Sequence, residues 1–210
     1  MINEEQLVNM NNMTKGEQTK ILVLSRGLAL ASEMGLKSIS IGVIAKACGL
    51  SRSGITRHFK DKEDMQMCIL QYAEDLFIAQ VLKKSYCPDP LQNLTNLYRN
   101  WLNWILPLSN GEITSCPFIK ATVQYQNQPQ CVIKAFMANQ QEKLIGYLSG
   151  TARRCIEYNY FSSEADCGQF AYEFYCIYVG HNILNVLNES STSDELYFTA
   201  IEQLIARYKV

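Results

Sequence analysis

The run from Ser38 to Phe59 constrains the fold more than any other part of the chain. Ser40 can cap a short helix over Ile41 to Ala47, with Val43, Ile44 and Ala47 on one face. Cys48-Gly49-Leu50 is too short for anything but a tight turn, and Ser51 then caps a second helix over Arg52 to Phe59. Two helices joined so tightly must cross steeply, which is the helix-turn-helix unit. Ala45 keeps the crossing close, and Gly49 takes a turn position where a positive φ is cheap only for glycine. Ile44, Leu50 and Ile55 plug the wedge between the helices. With those turned inward, Arg52, Ser53, Thr56 and Arg57 face out.

Helical signals continue on both sides. Thr14-Lys15-Gly16-Glu17 is a capping box, and Val23, Leu24, Gly27, Leu28, Leu30 and Ala31 recur at helical spacing until Gly35 supplies a stop. Lys60-Asp61-Lys62-Glu63 opens a long helix carrying Met65, Ile69, Tyr72, Leu76 and Ala79 to about Lys84. After Cys87-Pro88, Asp89 is a cap and Pro90 a first helical residue. Leu91, Leu94, Tyr98, Trp101, Leu102, Ile105 and Leu108 follow at three and four, with Pro107 as the stop and Ser109-Asn110-Gly111 as a turn. A short helix over Phe118 to Gln124 follows Cys116-Pro117, and Val132 to Ile156 reads as a long one. Asn159 to Ser163 is a connection, and Glu164 to Asn188 and Ser193 to Tyr208 are the last two helices, the second opened by the spacing Thr192 to Glu195. No stretch alternates as a strand would, so the expectation is an all-α chain of about nine helices.

Charge divides the chain. Between Thr14 and Lys62 nine basic residues face three acidic ones, a net of +6, whereas ten basic and fifteen acidic residues from Glu63 onward leave −5. Of the 22 Phe, Tyr and Trp residues only Phe59 lies in the basic segment. A basic lobe joined to an acidic, ring-rich one is the pattern of a nucleic-acid-binding domain beside a non-binding one. The expected division is residues 14–62 for the helix-turn-helix domain and 63–210 for the other.

With 48% hydrophobic residues, 11 Gly and 5 Pro, disordered and collagen-like readings are excluded. The opening residues carry Glu4 and Glu5 and no early Lys or Arg, so the basic start of a secretory signal is missing. No apolar run approaches the roughly 18 residues of a membrane span, and the expectation is a cytoplasmic protein with no membrane partner. Cys48, Cys68, Cys87, Cys116, Cys131, Cys155, Cys167 and Cys176 lie at least nine apart, which excludes close zinc-ligand pairs and fits buried free thiols. No metal site and no cofactor are expected. His181, within an apolar helix, reads as structural.

These residues resemble the TetR family of transcriptional regulators. The resemblance runs from Thr19 to Met65 and is densest from Ser38 to Asp64, where the cadence Gly49-Leu50-Ser51, Ser53-Gly54, His58-Phe59 and Lys62-Glu63 carries it. Cys116-Pro117-Phe118 and the Tyr-rich penultimate helix resemble the family more weakly. One position departs: Thr56 stands where the family usually has an aromatic packed on the DNA backbone. The resemblance implies a homodimer whose C-terminal domain binds a small ligand and dimerises through its last two helices. It makes the Arg52 helix the recognition helix of a major groove, and Ser40, Ser51, Arg52, Ser53, Gly54, Thr56, Arg57, His58 and Lys62 the candidate DNA contacts. His58 keeps two readings, a phosphate contact or a packed histidine beside Phe59.

Trp101, Trp104, Phe118, Tyr125, Phe136, Tyr147 and Tyr175 also have two readings, core filler or the lining of a pocket for a small, largely apolar or aromatic ligand. Leu184, Val186, Leu187, Leu196, Ile201, Leu204 and Ile205 are the candidate dimer face. The function expected is a ligand-responsive repressor that binds a palindromic operator in double-stranded DNA as a homodimer, and not an enzyme. One alternative is a cysteine redox sensor on the same scaffold, with Cys116 its best candidate. A thiol-dependent enzyme is the other, although no Cys has a recognisable His and acid companion.

Overall fold

The computed structural model describes residues 13–102, 104, 115–129, 131–188 and 192–210. Nine α-helices lie among them: α1 (Lys15–Met34), α2 (Ile41–Cys48), α3 (Arg52–Thr56), α4 (Lys62–Phe77), α5 (Pro90–Leu102), α6 (Pro117–Tyr125), α7 (Val132–Glu157), α8 (Cys167–Asn188) and α9 (Thr192–Tyr208). A 3-10 turn, Leu36–Ser38, follows α1, and a π-helical stretch, Ile78–Lys83, prolongs α4. The described residues contain no strand, only an isolated bridge between Phe161 and Lys209. Ile105, Pro107, Leu108 and the turn Ser109-Asn110-Gly111 lie outside the described residues.

Local chemistry sets the helix starts. Thr14 and Glu17 form the full capping box of α1. The Ser40 hydroxyl accepts from the Val43 amide, and the Ser51 hydroxyl from the Gly54 amide. Asp89 Oδ1 accepts from the amides of Leu91 and Gln92 at the start of α5. α3 is shorter than the expected Arg52 to Phe59: it ends at Thr56, where the His58 amide donates to Ile55 in a tight turn that sends Phe59 into the interior.

The chain packs as two compact units, drawn in their described parts from Met1–Ala73 with Ile105–Lys134, and from Glu74–Trp104 with Ala135–Val210. In the first, α1 packs on α2, α2 on α3, and α6 on α1 and the 3-10 turn. Val23, Leu28, Ile44, Ile55, Phe59, Met65 and Ile69 are buried there. Gly27 lets α1 approach α4, since a Cβ at that position would stand 2.5 Å from Ile69 Cδ1. In the second, the α8–α9 hairpin packs with α5. Its interior holds Leu94, Leu97, Phe170, Phe174, Tyr197, Ile201 and Leu204. The chain end returns to the α7–α8 connection, where Tyr208 O accepts from the Ser162 amide. No described helix is long and apolar enough to cross a membrane.

Candidate nucleic-acid interface

The helix-turn-helix is built as its residues require. Gly49 has φ 64° and ψ 30°, the left-handed conformation, and its amide together with that of Leu50 caps the end of α2. Ile44 and Ile55 are wholly buried on either side of the turn and Ala45 lies between the helices, while Leu50 is half-buried. Opposite that plug, Arg52, Ser53, Thr56 and Arg57 are all exposed. Neither guanidinium takes part in an ion pair among the described residues. An exposed cationic helix with its apolar side anchored and its charges unneutralised is suited to a polyanion.

The other candidates surround this face in different states. Ser40 and Ser51 have their hydroxyls engaged as caps, and Ser51 Oγ also lies 3.0 Å from Ser53 Oγ. The Thr56 hydroxyl donates to the Ser53 carbonyl. Gly54 is half-buried in the first turn of α3. His58 is half-buried against Phe59, its Cε1 3.8 Å from where a Cβ on Gly16 would stand, so it packs beside the start of α1. Lys62 Nζ is exposed and donates one hydrogen bond, 2.9 Å long, to the Lys37 carbonyl.

A polar staple from α6 fixes the end of α1 from outside the helix-turn-helix. Lys120 Nζ donates to the Ser32 and Glu33 carbonyls, both at 2.6 Å, which are among the groups that a helix C-terminus leaves without intrahelical partners. Burial pushes the Lys120 ammonium below its ordinary value, with Glu33 opposing. Gln124 Oε1 accepts from the Lys37 amide. Its amide group fills the space where a Cβ on Gly35 would stand, and Gly35 has φ 82°, a conformation that favours glycine, so a side chain there would both strain the backbone and displace Gln124. Tyr125 donates to Gln66 Oε1, and Gln66 Nε2 donates to the carbonyls of Leu36 and Ile39, which lead into α2. Burial, first, pushes the Tyr125 phenol up to about 12. Sequence reasoning missed Gln66, Lys120 and Gln124 as a set. Their signal was slight: a Gln inside the apolar run of α4, and a Lys and Gln four apart on α6.

The ring candidates do not fall in one unit. Phe118 and Tyr125 are buried on α6 in the first. Trp101, Trp104, Phe136, Tyr147 and Tyr175 belong to the second. Trp101 meets Tyr178 with ring centroids 4.5 Å apart, Phe77 edge-on at 5.4 Å and Tyr175 at 6.3 Å. Trp104 Nε1 donates to the Tyr178 hydroxyl. Tyr147 is half-buried and exchanges hydrogen bonds with Asn93, and Phe136 and Tyr175 are also half-buried. The candidate dimer face divides as well: Ile201, Leu204 and Ile205 are buried within their own chain, because α9 turns that side to its neighbours. Leu184, Val186, Leu187 and Leu196 are exposed, and Ile183, which the sequence reading did not include, joins them.

All eight cysteines are free thiols, and Cys116 is buried at the start of α6. Burial raises the Cys155 thiol to about 12. Among the described residues no group of His, Cys, Asp and Glu has the arrangement of a metal site.

The class these features define is an all-α protein with an N-terminal helix-turn-helix unit. Residues 23–66 match the family model described as bacterial regulatory proteins, tetR family. The chain is 40% identical over 60 residues to the HTH-type transcriptional regulator AcrR of Shigella flexneri, a match that spans 29% of this chain and 28% of that protein. The fold is shared with a TetR-family transcriptional regulator from Cytophaga hutchinsonii, with TM-score 0.81 and 16% identity over 95% of this chain and 98% of that one. It is also shared with AibR in complex with isovaleryl coenzyme A and operator DNA, with TM-score 0.66 and 17% identity over 89% and 97%. Over residues 23–66 the chain is thus similar to the TetR family of regulators, and beyond that segment what it shares with these structures is the fold.

Proposed function

We propose that this chain is a ligand-responsive transcriptional repressor, not an enzyme, that acts in the cytoplasm and binds a palindromic operator as a homodimer. One observation carries the reading: α3 is anchored through buried Ile55 and presents Arg52 and Arg57 exposed, with no carboxylate among the described residues in an ion pair with either. Residues 14–62 form the DNA-binding domain and 63–210 the ligand-binding and dimerisation domain. Arg52, Ser53, Thr56 and Arg57 are the central contacts, with Ser40, Ser51, Gly54, His58 and Lys62 beside them along the phosphate backbone.

The two-fold partner covers the exposed apolar residues Leu184, Leu187 and Leu196, of which Leu187 and Leu196 are 72% and 70% exposed. The ligand is small and largely apolar or aromatic, and its candidate contacts are Trp101, Trp104, Phe136, Tyr147 and Tyr175 in the second unit, with Phe118 and Tyr125 left as core of the first. The complex of AibR with isovaleryl coenzyme A and operator DNA supports this combination of partners on one fold. The ligand releases DNA by favouring the conformation that the operator does not, transmitted along α4, and operator must then weaken ligand binding by the same factor.

The test is binding of the purified chain to a randomised-duplex library, followed by salt titration of the enriched duplex and light scattering at micromolar concentration. The expected result is an inverted repeat with half-site centres about one helical turn apart, a steep fall of affinity with salt, and a dimer. Absence of any enriched sequence, or a monomer in solution, would overturn the reading.

A further inference from the structure

Arg52, the first residue of α3, does not extend freely from the exposed face. Its guanidinium lies over Gly42, in the first turn of α2: a Cβ at Gly42 would stand 3.1 Å from Nη2, 3.4 Å from Nε and 3.5 Å from Cζ. No ion pair among the described residues draws the charge to that place. Electrostatics opposes it, since a cation at a helix N-terminus faces the positive end of the dipole. What the site offers is space, because Gly42 alone in that turn has no side chain.

We infer that Gly42 is a specificity-determining position in this regulator, acting through Arg52: the missing side chain forms the slot that sets where the guanidinium rests and so which base or phosphate it reaches. The inference rests on the reading that α3 meets DNA. Gly42 is a positioning residue here and touches no DNA itself. A methyl group at position 42 requires the guanidinium to give by a few tenths of an ångström. A larger side chain evicts it. Folding is not at risk from the smaller change, because alanine is favoured over glycine inside a helix.

The experiment selects duplexes from one randomised library with wild type, Gly42→Ala, Gly42→Leu, Arg52→Ala and the double variant Gly42→Ala with Arg52→Ala. Thermal melting of each reports the fold. The expected result is a changed base preference at one position of each half-site for Gly42→Ala, with about five- to tenfold loss on the wild-type duplex, and a larger loss for Gly42→Leu. In the Arg52→Ala background the Gly42 change has no further effect on preference. If wild type enriches a sequence and both Gly42 variants enrich the same one with affinities within about twofold, the assignment of Gly42 is overturned while the DNA reading stands. A Gly42 effect that persists without Arg52 overturns it too, since Gly42 would then act on its own. If wild type itself enriches nothing, the DNA reading fails, and this inference with it.

Discussion

The outward face of α3 and the rings around Trp101 hold the two sets of candidate residues in opposite states. On α3 the outward side chains are exposed and, among the described residues, its charges form no ion pair, and the helix is only five residues long, fixed by its caps and by Ile55. Around Trp101 the side chains already serve as each other's surroundings: Trp101 is 2% exposed and meets Phe77, Phe174, Tyr175 and Tyr178. Change on α3 should therefore be felt in binding and scarcely in stability, and change at Trp101 in stability first.

The largest effect expected is at Trp101. Trp101→Ala should lower the unfolding free energy by about 3–5 kcal/mol, read by chemical denaturation, because a buried ring is removed from among rings that relax only partly. A loss under about 1 kcal/mol would break the comparison, since it would mean that the rings around Trp101 close the space that it leaves.

Arg52→Ala combined with Arg57→Ala should leave unfolding within about 0.5 kcal/mol of wild type. Binding to the enriched duplex should fall on the order of 100-fold at physiological salt, and the dependence of log affinity on log salt should become shallower by about 2. Wild-type-like affinity in this double variant would remove both residues from the interface.

Lys120→Met sharpens the comparison within the first unit, because it deletes a polar anchor without touching α3. Stability should drop by about 1–2 kcal/mol as the Ser32 and Glu33 carbonyls lose a charged donor. Hydrogen exchange should show faster opening of the last turn of α1. Unchanged protection there would mean that water serves those carbonyls equally well.

The smallest effect is expected in the α8–α9 hairpin. His181 is buried against the Tyr197 ring, with Nδ1 3.2 Å from Ser193 Oγ and Nε2 3.5 Å from Asp194 Oδ1. Burial holds its imidazole below the ordinary 6.5, and Asp194 opposes this. The unfolded chain thus binds the proton more readily than the folded one. The His181 contribution is intact above 6.5 and is lost as pH falls from there through the folded value. Melting temperature should decline over that window, and His181→Gln should flatten the decline. An identical pH profile in the variant would show that protonation of His181 is not linked to folding.

Much of the fold was legible because its signals act within a turn of helix. The caps at Thr14, Ser40 and Ser51 and the left-handed Gly49 were readable at those positions, and each is as expected. The outward set Arg52, Ser53, Thr56 and Arg57 was readable too, because a single buried side chain, Ile55, determines which way a short helix faces. Where a helix stops was harder. The end of α3 at Thr56 depends on Phe59 finding the interior, and periodicity does not say when a chain must leave its helix to bury the next ring.

The sequence by itself determined the helices, their caps, the turn and the segregation of basic from aromatic residues, since each follows from neighbours a few positions apart or from composition. Tertiary structure alone decided which distant groups meet. Lys120 caps carbonyls 88 and 87 residues away, Tyr125 finds Gln66, and the apolar residues of α9 divide between its own core and the outside. The resting place of Arg52 over Gly42 belongs to the same group. All of these depend on how helix faces pack and on the space left at their crossings, and a one-dimensional pattern specifies the faces but not their partners.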